Sequence, residues 1–485
     1  MSPHLIFFCF LGYTILVFLI TWITTRKADN ESFFIGNKRS PWAIVAYGMI
    51  GASLSGVTFM SVPGVVGVAG FKYFGLVIGY ILGYAVIATV LLPLYYRLNL
   101  TSIYTYLEKR FGFWSYKTGA FFFLISRTIG ASFRMFLVVN VLQVFVFDAW
   151  GIPFIATVSI FILLILLYTF KGGIKTIIWT DTLQTTFMLA AVIISLYLIC
   201  KELGLSFGGL IQQVSNSKYS QLFEFDWHAK DFFLKQFFSG AFIAIVMTGL
   251  DQEMMQKNLS CRNLQDAQKN MFSFSFILVF VNLLFLFLGG ALYMYATQKG
   301  ITLPVRTDDI FPVLSINYLG PFAGLVFMIG LISAAYPSAD GALTSLTTSV
   351  SIDFFGLDKN SHLSELLKRR YRYVIHFSFA LILLTVVVIF KAINDRAVID
   401  KLFTVAGYTY GPLLGLFSFG MFTTRSVKDK WVPYVALISP VICYVLSDYS
   451  KVLFSGYTFG FELLILNGFI TFMGLWMLSY RQNKV

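Results

Sequence analysis

Apolar runs of about twenty residues return thirteen times along this 485-residue chain, which is the length an α-helix needs to cross the hydrocarbon of a bilayer. They lie near 3–25, 42–70, 74–98, 115–147, 152–170, 174–200, 233–256, 270–297, 319–351, 371–392, 398–423, 430–448 and 458–480. The longest connection, 201–232, is too short for a soluble domain. Of all residues 58% are hydrophobic and 12% charged, where a soluble protein carries about 25% charge. Too few polar side chains remain to cover a water-facing surface. The reading is an all-α polytopic membrane protein with thirteen transmembrane helices, in one transmembrane domain over 1–485. A soluble enzyme, a disordered scaffold and a disulfide-rich secreted domain are excluded.

The net charge of +13 would point to nucleic acid in a soluble protein. Here it sorts by loop. One set of alternate loops, including Lys109, Arg110, Lys257, Arg262, Lys368, Arg369 and Arg370, holds twenty-three Lys and Arg against ten in the other set. Basic residues collect on the cytoplasmic side. The C-terminus is therefore expected in the cytoplasm and, with an odd number of spans, the N-terminus outside. Cys9, Cys200, Cys261 and Cys443 are scattered, and His4, His228, His362 and His376 have no ligand spacing, so neither a disulfide framework nor a transition-metal site is expected. The first apolar run lacks a basic leader, so no cleavable signal is expected. With 3–25 set aside, two groups of five spans follow, 42–200 and 233–423, and 430–480 adds two peripheral helices. Five is odd, so the second group must run opposite to the first, which is the plan of an inverted-repeat transporter.

Charged groups inside a span are costly and mark function by default. Arg127 and Arg134 lie in the fourth span, Asp181 in the sixth, Asp251 late in the seventh and Asp340 in the ninth. Asp251 sits near a cytoplasmic end, where it reads as a partly solvated cap or loop anchor. The arginines are seven residues apart and so share a helix face. Each can bind an anion, pair with Asp181 or Asp340, or snorkel towards an end. Asp181, Gln184 and Thr185 also share a face. The second span, GASLSGVTFMSVPGVVGVAG, mixes glycines and Pro63 with Ser53, Ser55, Thr58 and Ser61. Either it is broken, with freed carbonyls lining a cavity or binding a hard cation, or its small residues serve close helix packing. In the ninth span Pro337 opens the carbonyl of Ser333, and Ser338, Asp340, Thr344, Ser345, Thr347 and Thr348 supply oxygens.

LSGVTFMSVPG, GGIKTIIWTDTLQ, TGLDQEMMQKNLS, PSADGALTSLTTSVSIDF and AGYTYGPLLGLFSFGMF, in that order over about residues 5–480, resemble the sodium/solute symporter family, whose members have the inverted-repeat leucine-transporter fold. The resemblance implies secondary active import of a small organic solute driven by Na⁺, by alternating access, in a multi-pass prokaryotic-type cytoplasmic membrane protein. It implies no organic cofactor, no enzyme activity, and neither nucleic acid nor an obligate protein partner; the partners are solute, Na⁺ and the lipid bilayer. By motif, the usual sodium site falls on the carbonyls of Gly51, Leu54 and Ala334 and on a hydroxyl pair at Pro337 and Ser338. Proline supplies no side-chain oxygen, so one ligand is missing and Asp340 is the expected compensator. A second cation site found in some relatives falls on Asp181, with Asp340 and Gly341. Substrate would lie at Ser55 and Thr58 and along Phe74–Tyr80. Arg134 matches the arginine that grips a carboxylate in the sialic-acid carriers. Their third-span glutamine is not apparent, with Val77 and Ile78 nearby, which leaves an organic anion such as a sugar acid or carboxylate. The alternatives are a proton-coupled symporter using Asp181 and Asp340, and a Na⁺-coupled carrier of a neutral sugar or amino acid. A solute sensor would need a signalling domain after Ser479, and the tail is short. No Walker loop points to ATP.

Overall fold

The computed structural model describes residues 3–24, 33–34, 36–358, 362–393 and 398–481. Arg26, Lys27, Lys359, Arg396 and Lys484 of the loop charge pattern lie outside them. The architecture is helical. The apolar helices in chain order are α1 (Pro3–Thr24), α2 (Trp42–Ser53), α3 (Gly56–Ala69), α4 (Tyr73–Arg97), α5 (Phe113–Trp150), α6 (Phe154–Phe170), α7 (Gly173–Leu203), α8 (Phe233–Gly249), α9 (Gln252–Leu259), α10 (Leu264–Gln298), α11 (Pro321–Phe354), α12 (Glu365–Ala392), α13 (Leu402–Phe422), α14 (Asp429–Asp448) and α15 (Leu463–Met477).

Among the described residues, nine helices are long and apolar enough to cross a membrane, and up to eleven spans result if the bent pairs α2–α3 and α8–α9 each count as one. Helices α6 and α15, in the expected spans 152–170 and 458–480, are shorter than that test requires. The thirteen spans are therefore not reached on length and hydropathy.

Three interruptions shape the bundle. At Gly173 the backbone takes φ 51°, ψ −140°, a conformation open to glycine, and α6 turns into α7. The span 42–70 bends by 57° between α2 and α3. The bend falls at Leu54 (φ −85°, ψ 81°) and Ser55 (φ −77°, ψ 178°), inside the SLSG run, while Pro63 is accommodated within α3. The span expected at 233–256 as one helix is also bent, by 66°, and continues to Leu259. Asp251, in extended conformation, caps α9 by accepting the N–H of Glu253 at 2.9 Å and of Met254 at 3.2 Å.

The bent pairs open the two groups of five, and the groups embrace reciprocally. Helix α3 packs on α10 and α8 on α4, so the first member of each group lies against the second of the other. The α6–α7 segment packs along α11 and α13 along α5, fifth against third in both directions. Two similar halves of opposite orientation give this pattern. Helix α11 is the innermost, buried along most of its length, and α1 lies outside it, tied by Thr14 Oγ1 to Tyr336 Oη at 2.8 Å. Helix α15 backs α13, where Pro412 cannot donate to the carbonyl of Tyr408. Asn467 Nδ2 donates to that carbonyl and to the carbonyl of Gly407, each at 2.9 Å.

Candidate functional site

Between the two bends lies a small cavity of about 70 Å³ that opens to solvent. Ser55 and Thr58 from the head of α3, Tyr80 and Tyr84 from α4, and Arg127 and Arg134 from α5 line it. The expected substrate residues Ser55, Thr58 and Arg134 are thus brought together. Of the expected stretch Phe74–Tyr80 only Tyr80 reaches the cavity, joined by Tyr73 and Tyr84, and Val77 is buried elsewhere. Tyr73 and Phe403 also line a wider vestibule of about 370 Å³, together with Lys72, Asp231 and Phe461. Lys72 Nζ bridges Glu224 at 2.8 Å and Asp231 at 2.9 Å across its rim. That hydrogen bond from Lys72 holds the Glu224 carboxyl below its ordinary value.

The two arginines differ. Arg127 is ion-paired to Glu253 and lies 3.8 Å from Asp251 Oδ2. Its partners are on α9 and at the bend, not Asp181 or Asp340 as expected. Asp251 in turn accepts from Tyr410 Oη at 2.8 Å and is fully buried, not partly solvated, because the span bends there and α9 packs against α11. Arg134 is 8% exposed, makes no ion pair among the described residues, and its Nε has no hydrogen-bond partner. Asp251 acts on it only from a distance, and a buried guanidinium without a direct ion pair favours a ligand that supplies one.

At the first bend the helical ladder is interrupted. Leu54 N–H donates to Ile50 O at 2.7 Å, and the next backbone bond is Phe59 N–H to Ser55 O at 3.0 Å. The carbonyls of Gly51 and Leu54 lie in this gap. Opposite, on α11, Ala334 and Ser338 are buried, and the Ser338 hydroxyl has no hydrogen-bond partner. Helix α11 packs on both α2 and α3, and an orphaned buried hydroxyl together with freed carbonyls is a donor set that suits a hard cation. Helix α7 closes the site from behind. Its Thr185 hydroxyl donates to Asp181 O at 2.7 Å, and a Cβ at Gly51 would lie 2.3 Å from that hydroxyl oxygen, so only glycine fits there.

Asp181 and Asp340 are both fully buried. Asp340 is held on both oxygens: Tyr168 Oη donates to Oδ2 at 2.7 Å and Gly341 N–H to Oδ1 at 2.5 Å. Asp181 Oδ2 is 2.7 Å from Nζ of Lys257. Lys257, read from the sequence as a loop lysine, is 1% exposed and also lies 3.3 Å from Glu253 Oε1. Glu253 and Lys257 went unnoticed as site residues. Their signal was present in the segment DQEMMQK, an acid and a lysine four apart on one helix face in an otherwise apolar span.

The sodium:solute symporter family model matches residues 33–429. The chain belongs to the sodium:solute symporter family. Among its relatives, the sodium/sialic acid symporter NanT of Aliivibrio fischeri is 24% identical over 96% of this chain and 92% of its own length. The sodium/sialic acid symporter SiaT of Proteus mirabilis is 24% identical over 91% of this chain and 88% of its own. A human sodium/iodide cotransporter is 25% identical over 83% of this chain and 63% of its own. A solved structure of a Na⁺-coupled sialic acid symporter, substrate-bound and outward-open, matches with TM-score 0.81 at 19% identity, covering 98% of this chain and 99% of the other. A nucleobase-cation-symport-1 family transporter in a closed conformation matches with TM-score 0.53. The fold is theirs. The protein is a multi-pass secondary transporter that couples a small solute to Na⁺, and it is not an enzyme.

Proposed function

We propose that this symporter imports a small organic anion, a sugar acid or carboxylate, whose negative charge pairs with Arg134. The carrying observation is the buried guanidinium of Arg134, which lines the cavity without an ion pair of its own among the described residues, beside a paired neighbour, Arg127. A carboxylate matches a guanidinium bidentately. The relatives that carry sialic acid support an anion as the solute class. Ser55 and Thr58 hydroxyls would orient it.

For the coupling ion, the proposed site is the carbonyls of Gly51, Leu54 and Ala334 with the Ser338 hydroxyl. A Na⁺ there holds the bend of α2 against α11, and substrate completes the closed site beside it, after which the helices rock inward. The proposed frame is two repeats, 42–200 and 233–423, with peripheral helices at 3–25 and 430–480. The excess of loop lysine and arginine supports a cytoplasmic C-terminus and an outer N-terminus in a prokaryotic cytoplasmic membrane. The vestibule at Lys72 then opens outward.

The test is a thermal-shift screen of purified protein with and without Na⁺ against N-acetylneuraminic acid and other sugar acids, monocarboxylates, neutral sugars, amino acids and vitamins. Stabilisation by one acid class, weakened at least tenfold in Arg134→Ala, is the expected result. Stabilisation by neutral solutes alone would overturn the reading.

A further inference from the structure

Asp181 and Asp340 face a cation that the chain itself carries. Lys257 reaches Asp181 from α9, and its ammonium is fixed on a second side by Glu253. Glu253 is anchored in its turn by Arg127, and it enters between the helices because Gly341 of α11 leaves room. A Cβ at that glycine would lie 2.3 Å from Glu253 Oε1. Asp340 spends both oxygens on Tyr168 and Gly341, and Asp181 Oδ1 has no partner, so the ammonium alone balances Asp181.

We infer that the Lys257 ammonium takes the place of a second Na⁺ at Asp181 and Asp340, which leaves the bend between α2 and α3 as the single Na⁺ site. The inference rests on the Na⁺-coupled reading above. A Na⁺ sharing the Asp181 carboxylate would sit about 4 Å from the ammonium, and at an effective dielectric constant near 20 that repulsion weakens its binding about a thousandfold. The ammonium cannot leave cheaply, because withdrawal strips a charge from both Asp181 and Glu253 inside the protein. Because Lys257 rides on α9, this cation moves with the second bent helix instead of dissociating with the solute. Transport of a monoanion with one Na⁺ is then electroneutral.

The experiment is equilibrium binding of ²²Na⁺ to the purified full-length protein, with a parallel Na⁺ titration of the melting temperature. Wild type is expected to bind one Na⁺ per chain with a Hill coefficient near 1. Lys257→Gln opens Asp181 and should bind two, with a Hill coefficient above 1, and Lys257→Arg should stay at one. Two Na⁺ per wild-type chain would overturn the inference, and so would a folded Lys257→Gln that still binds one. If Lys257→Gln does not fold, the wild-type count decides. No Na⁺ bound to wild type would overturn both the inference and the Na⁺-coupled reading, an outcome distinct from a count of two.

Discussion

The two bent helices solve one problem in opposite ways. Breaking a helix inside a membrane frees backbone groups that lipid cannot satisfy. At the second bend the protein satisfies them itself. Tyr95 Oη donates to Gly249 O and Tyr104 Oη to Leu250 O, each at 2.9 Å. The Gln252 amide accepts Ile103 N–H at 3.0 Å and donates to Thr101 O at 2.8 Å, and Asp251 caps the following helix. At the first bend Ser55 makes no side-chain cap among the described residues, and on the neighbouring helix α11 the Ser338 hydroxyl is left without a partner. The first bend leaves its backbone oxygens open, as the proposed Na⁺ site requires, and the second closes them on its neighbours.

The largest expected effect falls on the second bend. Asp251→Ala removes the α9 cap and leaves Tyr410 and Arg127 without that carboxylate, at a cost of about 3–5 kcal/mol. Melting should show it, with Na⁺ half-saturation unchanged in the protein that remains folded. Asp251→Asn keeps the cap oxygen and should lose less. A Na⁺ shift in either would erase the contrast between the bends.

Next comes the first bend. Ser338→Ala should raise the Na⁺ concentration for half-maximal uptake about tenfold with little change in melting without Na⁺, the value of about one hydrogen bond to a charge. Pro337→Ser, which restores the absent hydroxyl, should lower that concentration. An unaltered Na⁺ dependence in both variants would move the ion elsewhere.

Of the same order is the double replacement Tyr95→Phe and Tyr104→Phe. It bares two carbonyls and should lower stability by about 1–3 kcal/mol while sparing Na⁺ dependence, as read by melting with and without Na⁺. The smallest effect is at the vestibule rim. Glu224 is held below its ordinary carboxyl value by Lys72. Its contribution is therefore complete above about pH 4.5, the ordinary value, and is lost as pH falls through the lowered one. Melting of wild type and Lys72→Met should differ by the same amount from pH 8 to pH 5 and converge only in acid.

Much of this was legible in the sequence, for physical reasons. Apolar runs of spanning length give the helices, and the shared face of Asp181, Gln184 and Thr185 follows from helical periodicity, though what that face meets, Gly51 among others, needed the fold. A break in the second span was one of two readings there, because glycines and hydroxyls concentrate in it; its place at Leu54 came from the fold. The second bend was not visible, since TGLDQ carries one glycine and an acid that reads equally well as a span end. That misreading also put Asp251 near solvent and Lys257 in a loop. Arg127 and Arg134 share a helix face, so periodicity cannot say which one has a carboxylate partner. The return of α9 beneath the bundle decides it by bringing Glu253 to Arg127 alone. Ser55, Thr58 and Arg134 were singled out by the family resemblance, Arg134 also by its rarity in a span, and the three line one cavity.

The account turns on one coupling, between a cation at the first bend and an anion at Arg134. It is measured most directly as the affinity of purified protein for the acid selected by the screen, in Na⁺ and with Na⁺ replaced by choline. Na⁺ should tighten binding at least fivefold, the scale of about 1 kcal/mol of coupling, and Ser338→Ala should diminish that gain. Equal affinity in Na⁺ and choline would contradict it.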